Sequence, residues 1–248
     1  MLSHGLIDRL ADLKLYGMAK ALEDIDSVGH ADLSFEDRLT LMIDHEESAR
    51  SIRALSRRLQ VSKLRYPEAA VEDVDFRRKR GLGRATFLAL AQCEWIRSGY
   101  NLLVTGPTGI GKTWLACALG RRACREGHSV RYLRLPALFE MLLAAHGDGT
   151  FPRVLERLGK INLLILDEFG LYAMTNDQRR DFSEVIEERA QLRSTIVMSQ
   201  LSVDDWHQAF GEPTLGDAIL DRLVHNAYRL KLEGKSMRTD GRPPELTK

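Results

Sequence analysis

The chain has 248 residues, 44% hydrophobic and 29% charged, with 36 Lys and Arg against 35 Asp and Glu, a net charge of +1. That length suits one large domain, alone or with a small companion, and the charge balance excludes bulk attraction to polyanions, so any nucleic-acid contact must come from local patches. The three cysteines, Cys93, Cys117 and Cys124, form no CxxC pair and read as buried thiols, while the absence of a long apolar run or a signal peptide points to a cytoplasmic protein.

Leu6, Leu10 and Leu13 recur at helical spacing, and Met18, Leu22 and Ile25 continue the pattern beyond Gly17, where a bend or break is expected. Ser34, with Asp37 three residues on, has the spacing of a capping box and starts a second helix running to about Gln60, with Leu39, Met42 and Ile43 on its buried side. Residues 1–66 therefore read as a small all-helical domain. Residues 67–80, from Pro67 through an acidic patch to Arg77, Arg78, Lys79 and Arg80, have neither period and read as a linker.

From Gly81 the pattern alternates. A helix over "ATFLALAQCEWIRSG" precedes the strand "NLLVT"; a glycine-rich loop then leads into a helix that ends at Gly127. The strand "SVRYLRL", a helix begun by Pro136, the short helix "FPRVLERLGK" and the strand "NLLILDEFG" come next. A helix capped by Thr175 or Asn176, the strand "STIVMSQ", the helix "DAILDRLVHNA" and the strand "YRLKLEG" complete the domain, residues 81–234. Alternating strands and helices predict an α/β fold with a parallel sheet covered on both faces. Residues 235–248 are polar and read as a disordered tail.

The loop "GPTGIGKT" fits G-x-x-x-x-G-K-[ST]. Gly106, Pro107, Thr108, Gly109, Ile110 and Gly111 would wrap backbone N–H groups around phosphate, and the following helix adds its positive end. Lys112 would reach the β and γ phosphates, and Thr113 would offer its hydroxyl to Mg²⁺. The acidic strand end supplies Asp167 as the second holder of Mg²⁺ and Glu168 to polarise an attacking water, which favours hydrolysis over transfer. No N-K-x-D-type segment signals guanine, so ATP is the expected nucleotide. A metabolic P-loop enzyme is the weaker alternative, since no lid or acceptor pocket is evident.

The P-loop, "LLILDE", "TIVMSQ" and "DAILDRLVHNAYRLKLEGKSMR" resemble the AAA+ ATPases of the initiator and helicase-loader group, and most closely the IstB family, ATP-dependent helpers of insertion-sequence transposases. The N-terminal "LKLYGMAKAL" and "LSFEDRL" resemble that family's helical domain, and the likeness covers nearly all of residues 1–238. It implies a sheet ordered 5-1-4-3-2, ring or spiral assembly on duplex DNA, target-site choice, and a transposase partner in a bacterial, DNA-associated setting. Ser199 or Gln200 occupies the position that senses the γ-phosphate, and Arg222 the position of an arginine finger reaching a neighbour's ATP. Arg238 matches a family position without an assigned role, and Trp114 reads as a packing residue. A replicative helicase loader of the same group is the alternative.

Two basic helical faces are candidate DNA contacts: Arg50, Arg53 and Arg57, and Arg153, Arg157 and Lys160. Neither interleaves aromatics, which favours duplex backbone over single strands and predicts sequence-independent binding.

Overall fold

A computed structural model describes residues 2–28, 33–210 and 213–237. Two compact units divide the chain, residues 1–57 and 58–248.

The first unit contains α1 (Leu2–Asp12), α2 (Tyr16–Val28) and most of α3 (Phe35–Ser62). The break between α1 and α2 falls at Lys14, whose φ of 61° is left-handed, and not at Gly17. Gly17 lies inside α2 and serves a close approach. A Cβ there would stand 2.5 Å from the His45 carbonyl oxygen and 2.6 Å from the Glu46 Cα. Glu46, buried on α3, accepts hydrogen bonds from the N–H groups of Gly17 (2.6 Å) and Met18 (3.3 Å), satisfying the open N-terminus of α2. Ser34 caps α3: its Oγ accepts from the Asp37 N–H at 3.1 Å and donates to the Asp37 carboxylate at 2.6 Å. The expected buried side of this helix is only partly covered, at Met42. Leu39 and Ile43 are 38% and 44% exposed, because periodicity identifies an apolar face but not what lies against it.

In the second unit, α4 (Arg84–Leu90) and α5 (Glu94–Arg97) replace the single expected helix, interrupted at Cys93 with φ 62°. Then follow β1 (Asn101–Thr105), α6 (Lys112–Arg125), β2 (Val130–Arg134), α7 (Leu135–Gly147), α8 (Phe151–Lys160), β3 (Leu163–Phe169), α9 (Asn176–Arg189), β4 (Ser194–Ser199), α10 (Trp206–Phe210), α11 (Pro213–Val224) and β5 (Ala227–Lys231). All five strands fall where the sequence places them. The sheet is parallel, in the order β2-β3-β4-β1-β5, which is the expected 5-1-4-3-2 read from the other edge.

The central strands β1 and β4 are buried throughout, whereas the edge strands β2 and β5 are partly exposed. Leu103, Leu164, Leu166 and Val197 face a core shared with α7, α8, α9 and α11. Ile165 points to the other face, where a Cβ on Gly120 of α6 would stand 2.9 Å from its Cδ1. Arg189, 1% exposed, ties α8 and α9 to β4, donating to the carbonyls of Leu158, Ile161 and Ser194 and to Thr195 Oγ1.

The expected divisions at residues 66 and 80 do not match the compact units. The stretch meant as a linker carries Ala69, Val74 and Arg80, all buried, so it packs with the second unit. In the tail, residues 235–237 fold back on the P-loop, where the Met237 N–H donates to the Gly109 carbonyl at 2.9 Å; Arg238 and the rest lie outside the described residues. Among the described residues no helix is long and apolar enough to cross a membrane. The three cysteines are free and buried as expected, and burial pushes Cys93 and Cys124 up to about 11.

The Arg50 guanidinium and the two N–H donors hold the Glu46 carboxyl below its ordinary value of 4.5. A carboxyl lowered in the folded state stabilises above its unfolded value, and the stabilisation is lost as pH falls through the lowered one. The helical signal in circular dichroism is therefore expected to melt earlier as pH drops from 7 to below about 4. Glu46→Gln should melt earlier already at pH 7 and respond less to acid. For Arg189→Met, which removes three guanidinium-to-carbonyl hydrogen bonds from a buried position, urea unfolding is expected to show a loss of about 3 kcal/mol.

Candidate functional site

β1 ends at Thr105, and the backbone turns at once through Gly106 with φ 144°. A Cβ there would stand 2.3 Å from the Leu232 carbonyl oxygen, so no larger residue fits against the chain leaving β5. Gly111, with φ 98°, caps α6 in a left-handed conformation that begins the helix one residue before Lys112. Ile110 is buried and anchors the loop, while Pro107 and Thr108 are exposed. Lys112 Nζ donates to the carbonyls of Gly106 (2.5 Å) and Pro107 (3.0 Å), which keeps the ammonium over the loop.

Asp167, 6% exposed, lies two residues before the end of β3. Its Oδ2 accepts from Thr113 Oγ1 at 2.8 Å and from the Tyr132 hydroxyl at 2.9 Å; its Oδ1 accepts from the Glu168 N–H at 2.9 Å. The donor set suits a hard cation. One hydroxyl and one carboxylate sit side by side next to a loop that would bring phosphate oxygens, which is how Mg²⁺ is commonly held. Burial and the Asp167 charge push the Tyr132 phenol well above its ordinary range, so it stays a donor.

Glu168 has φ 67°, a left-handed conformation uncommon for a non-glycine residue. It occupies a bulge: Leu166 pairs with Val197 and Phe169 with Ser199, leaving one extra residue on β3. Ser199 Oγ holds the bulge, donating to the Phe169 carbonyl at 2.8 Å and accepting from the Leu201 N–H at 3.0 Å. The Phe169 ring is locked against Trp206, Phe182 and Phe210. The Glu168 carboxylate is half-buried, with Arg134 Nη1 at 3.8 Å.

These groups line one cavity of about 450 Å³, within the range of small-molecule sites. It gathers Thr108, Gly109, Gly111, Lys112, Thr113, Asp167, Glu168, Ser199 and Gln200. Trp114, expected as a packing residue, lines it too. Sequence reasoning missed Arg65, Tyr66, Asp73, Asp75, Arg80 and Met237, which also line it. Arg65 and Tyr66 end the stretch read as the helical domain, Asp73, Asp75 and Arg80 lie in the stretch read as linker and Met237 in the tail, and the lack of periodicity there hid that these segments border the P-loop.

The other candidates stand apart from this cavity. Arg222 is half-buried on α11, with Nε paired to Glu187 of α9 and Nη1 donating to the Ala218 carbonyl at 2.9 Å. Neither Asp217 nor Asp221 is its partner; they pair with His207 and His225. Arg50 and Arg53 both pair with Glu46, at 2.7 and 3.2 Å, and Arg57 makes no ion pair among the described residues. Lys160 pairs with Glu156, while Arg153 and Arg157 make no ion pair among the described residues.

A parallel sheet ordered β2-β3-β4-β1-β5, with a P-loop after β1 and an acidic pair ending β3, defines a P-loop protein of the AAA+ class. The family of IstB-like ATP binding proteins matches residues 8–243, and the chain belongs to it. A Sinorhizobium fredii protein described as an insertion sequence ATP-binding protein is 48% identical over 243 residues, 98% of this chain and 99% of that one. The corresponding ATP-binding protein of insertion sequence IS21 from Pseudomonas aeruginosa is 30% identical over 236 residues, 95% of this chain and 89% of that one. Among solved structures, the DnaC helicase loader shares the fold with a TM-score of 0.59 at 22% identity, covering 69% of this chain and 99% of that one.

Ser199 and Gln200 differ in a measurable way. Ser199→Ala removes two buried hydrogen bonds and is expected to cost about 1–2 kcal/mol in urea unfolding. Gln200→Ala, at an exposed position, should change stability by less than about 0.5 kcal/mol.

Proposed function

We propose that this chain is an ATP-hydrolysing, DNA-binding helper of an insertion-sequence transposase. The observation that carries the nucleotide reading is the Thr113–Asp167 hydrogen bond beneath the P-loop, with Glu168 as the next residue. Membership of a family of insertion-sequence ATP-binding proteins carries the transposase reading.

The P-loop N–H groups and the positive end of α6 hold the triphosphate, and Lys112 moves from its loop carbonyls to the phosphate oxygens. Mg²⁺ held by Thr113 Oγ1 and Asp167 would neutralise charge on the β and γ oxygens. Glu168, carried out of the strand by the bulge, orients and polarises the attacking water. Gln200, exposed at the cavity, is better placed to sense the γ-phosphate than Ser199, whose hydroxyl is already committed.

Arg222 is the finger supplied to a neighbouring subunit in a ring or spiral, and exchanges Glu187 for that neighbour's ATP. Arg153 and Arg157, with Lys160, and Arg50, Arg53 and Arg57 are the faces offered to duplex phosphates. ATP binding assembles subunits on cytoplasmic duplex DNA without reading sequence, and hydrolysis releases them. The assembled form selects target DNA and stimulates the transposase. The likeness to DnaC supports the helicase-loader alternative only at the level of fold.

Glu168→Gln is expected to bind ATP normally, hydrolyse it about 10²–10⁴-fold more slowly, and remain on duplex DNA. Lys112→Ala should weaken both nucleotide and DNA binding. Hydrolysis stimulated by duplex but not by single strands supports the transposase-helper reading; stimulation by single strands alone would favour a loader. Normal hydrolysis by Glu168→Gln would assign the water to another residue.

A further inference from the structure

Tyr132 has no place in the sequence motifs. It lies on β2, opposite Ile165 of β3, 8% exposed, with its hydroxyl on the inner side of Asp167. Arg65, three residues beyond the end of α3, lines the cavity with Asp167, and its charge acts on the Tyr132 phenol. A phenol has one proton to give. That proton is directed at Asp167 Oδ2, at 2.9 Å.

The Thr113 hydroxyl gives its proton to the same Oδ2. That geometry leaves the Thr113 lone pairs turned away from Asp167. Meanwhile the Glu168 N–H pins Oδ1, so both carboxylate oxygens are fixed and the plane of the group is set. Groups that orient a metal-holding carboxylate from behind commonly change metal affinity by 10–100-fold when removed.

We propose that Tyr132, supported by Arg65, is a positioning residue for the magnesium-holding pair Asp167 and Thr113. Tyr132 sets the carboxylate plane and thereby tunes how tightly Mg²⁺ is taken up with the nucleotide. The proposal rests on the reading of this site as one for ATP with Mg²⁺. It gives Arg65 a task in the nucleotide site although it lies just after α3, in a stretch that carries no nucleotide motif.

The test is a Mg²⁺ titration of fluorescent ATP-analogue binding, read by anisotropy, on the full chain and on Tyr132→Phe. The phenylalanine keeps the ring and its packing and removes only the hydroxyl. The Mg²⁺ midpoint is expected to rise about tenfold. Binding of the analogue in EDTA should stay unchanged. Arg65→Met should shift the midpoint in the same direction, and the double variant no further than Tyr132→Phe, because Arg65 acts through the Tyr132 hydroxyl.

An unchanged midpoint in Tyr132→Phe would overturn the proposal. So would an equal loss of binding with and without Mg²⁺, which marks a packing role, or additive losses in the double variant. Should Tyr132→Phe fold poorly, the exposed Arg65→Met carries the test alone. If the parent chain binds the analogue without any response to Mg²⁺, the magnesium reading of the site itself fails, and that result is distinct from a failure confined to the variants.

Discussion

A carboxylate sunk to 6% exposure at the end of a strand is the constraint around which the second unit is organised. Burying Asp167 as an anion would be costly without donors. Three are supplied, each from a different place: Thr113 from the first turn of α6, Tyr132 from β2, and the Glu168 N–H from β3 itself. The set holds only if β2 and β3 keep their register and α6 starts where Gly111 starts it. The P-loop and the acidic strand end thus act as one hydrogen-bonded unit.

The strand order does the rest. β4 lies between β3 and β1, so its C-terminal end falls between the acidic pair and the P-loop. Ligands in open α/β sheets sit outside the carboxyl ends of the strands, and here that crevice is the cavity. The left-handed backbone at Glu168 costs on the order of 1–3 kcal/mol. It persists because the Ser199 hydroxyl and the aromatic packing of Phe169 fix the residues on its C-terminal side. The strain turns a strand residue out of the pleat and into the crevice.

Charge is arranged with the same economy. In a chain of net charge +1, Arg50, Arg53, Lys160 and Arg222 all have acidic partners within their own unit. The Lys160 and Arg222 pairs are solvent-accessible and contribute only about 0–1 kcal/mol each, so exchange of their acids for a phosphate oxygen is inexpensive, whereas Arg50 and Arg53 hold the buried Glu46. A pair of this kind keeps a cation oriented before its ligand arrives. Arg57, Arg153 and Arg157 lack such partners among the described residues and are the more open of the cations considered for DNA.

Much of this was legible in the sequence. The five strands, the cap of α3, the P-loop and the acidic pair rest on local rules: hydrophobic period, side-chain capping, and the backbone freedom of glycine next to phosphate. Local rules act within a few residues, so sequence alone determines them. Gly17 shows their limit, since it reads as a helix breaker but proves to be a contact point for Glu46. The stretches around Arg65, Asp73 and Arg80 and the segment ending at Met237 carry no period and no motif, yet they close the cavity. Tyr132 reads as one more residue of an alternating strand until β2 is laid beside β3. Which hydroxyl meets which carboxylate depends on strand order and register, and those are set by the packing of distant segments. The sequence determined the glycine-rich loop and the acidic strand; the tertiary structure alone decided that Tyr132 and Arg65 stand near the buried carboxylate, because they are 35 and 102 residues from Asp167 along the chain.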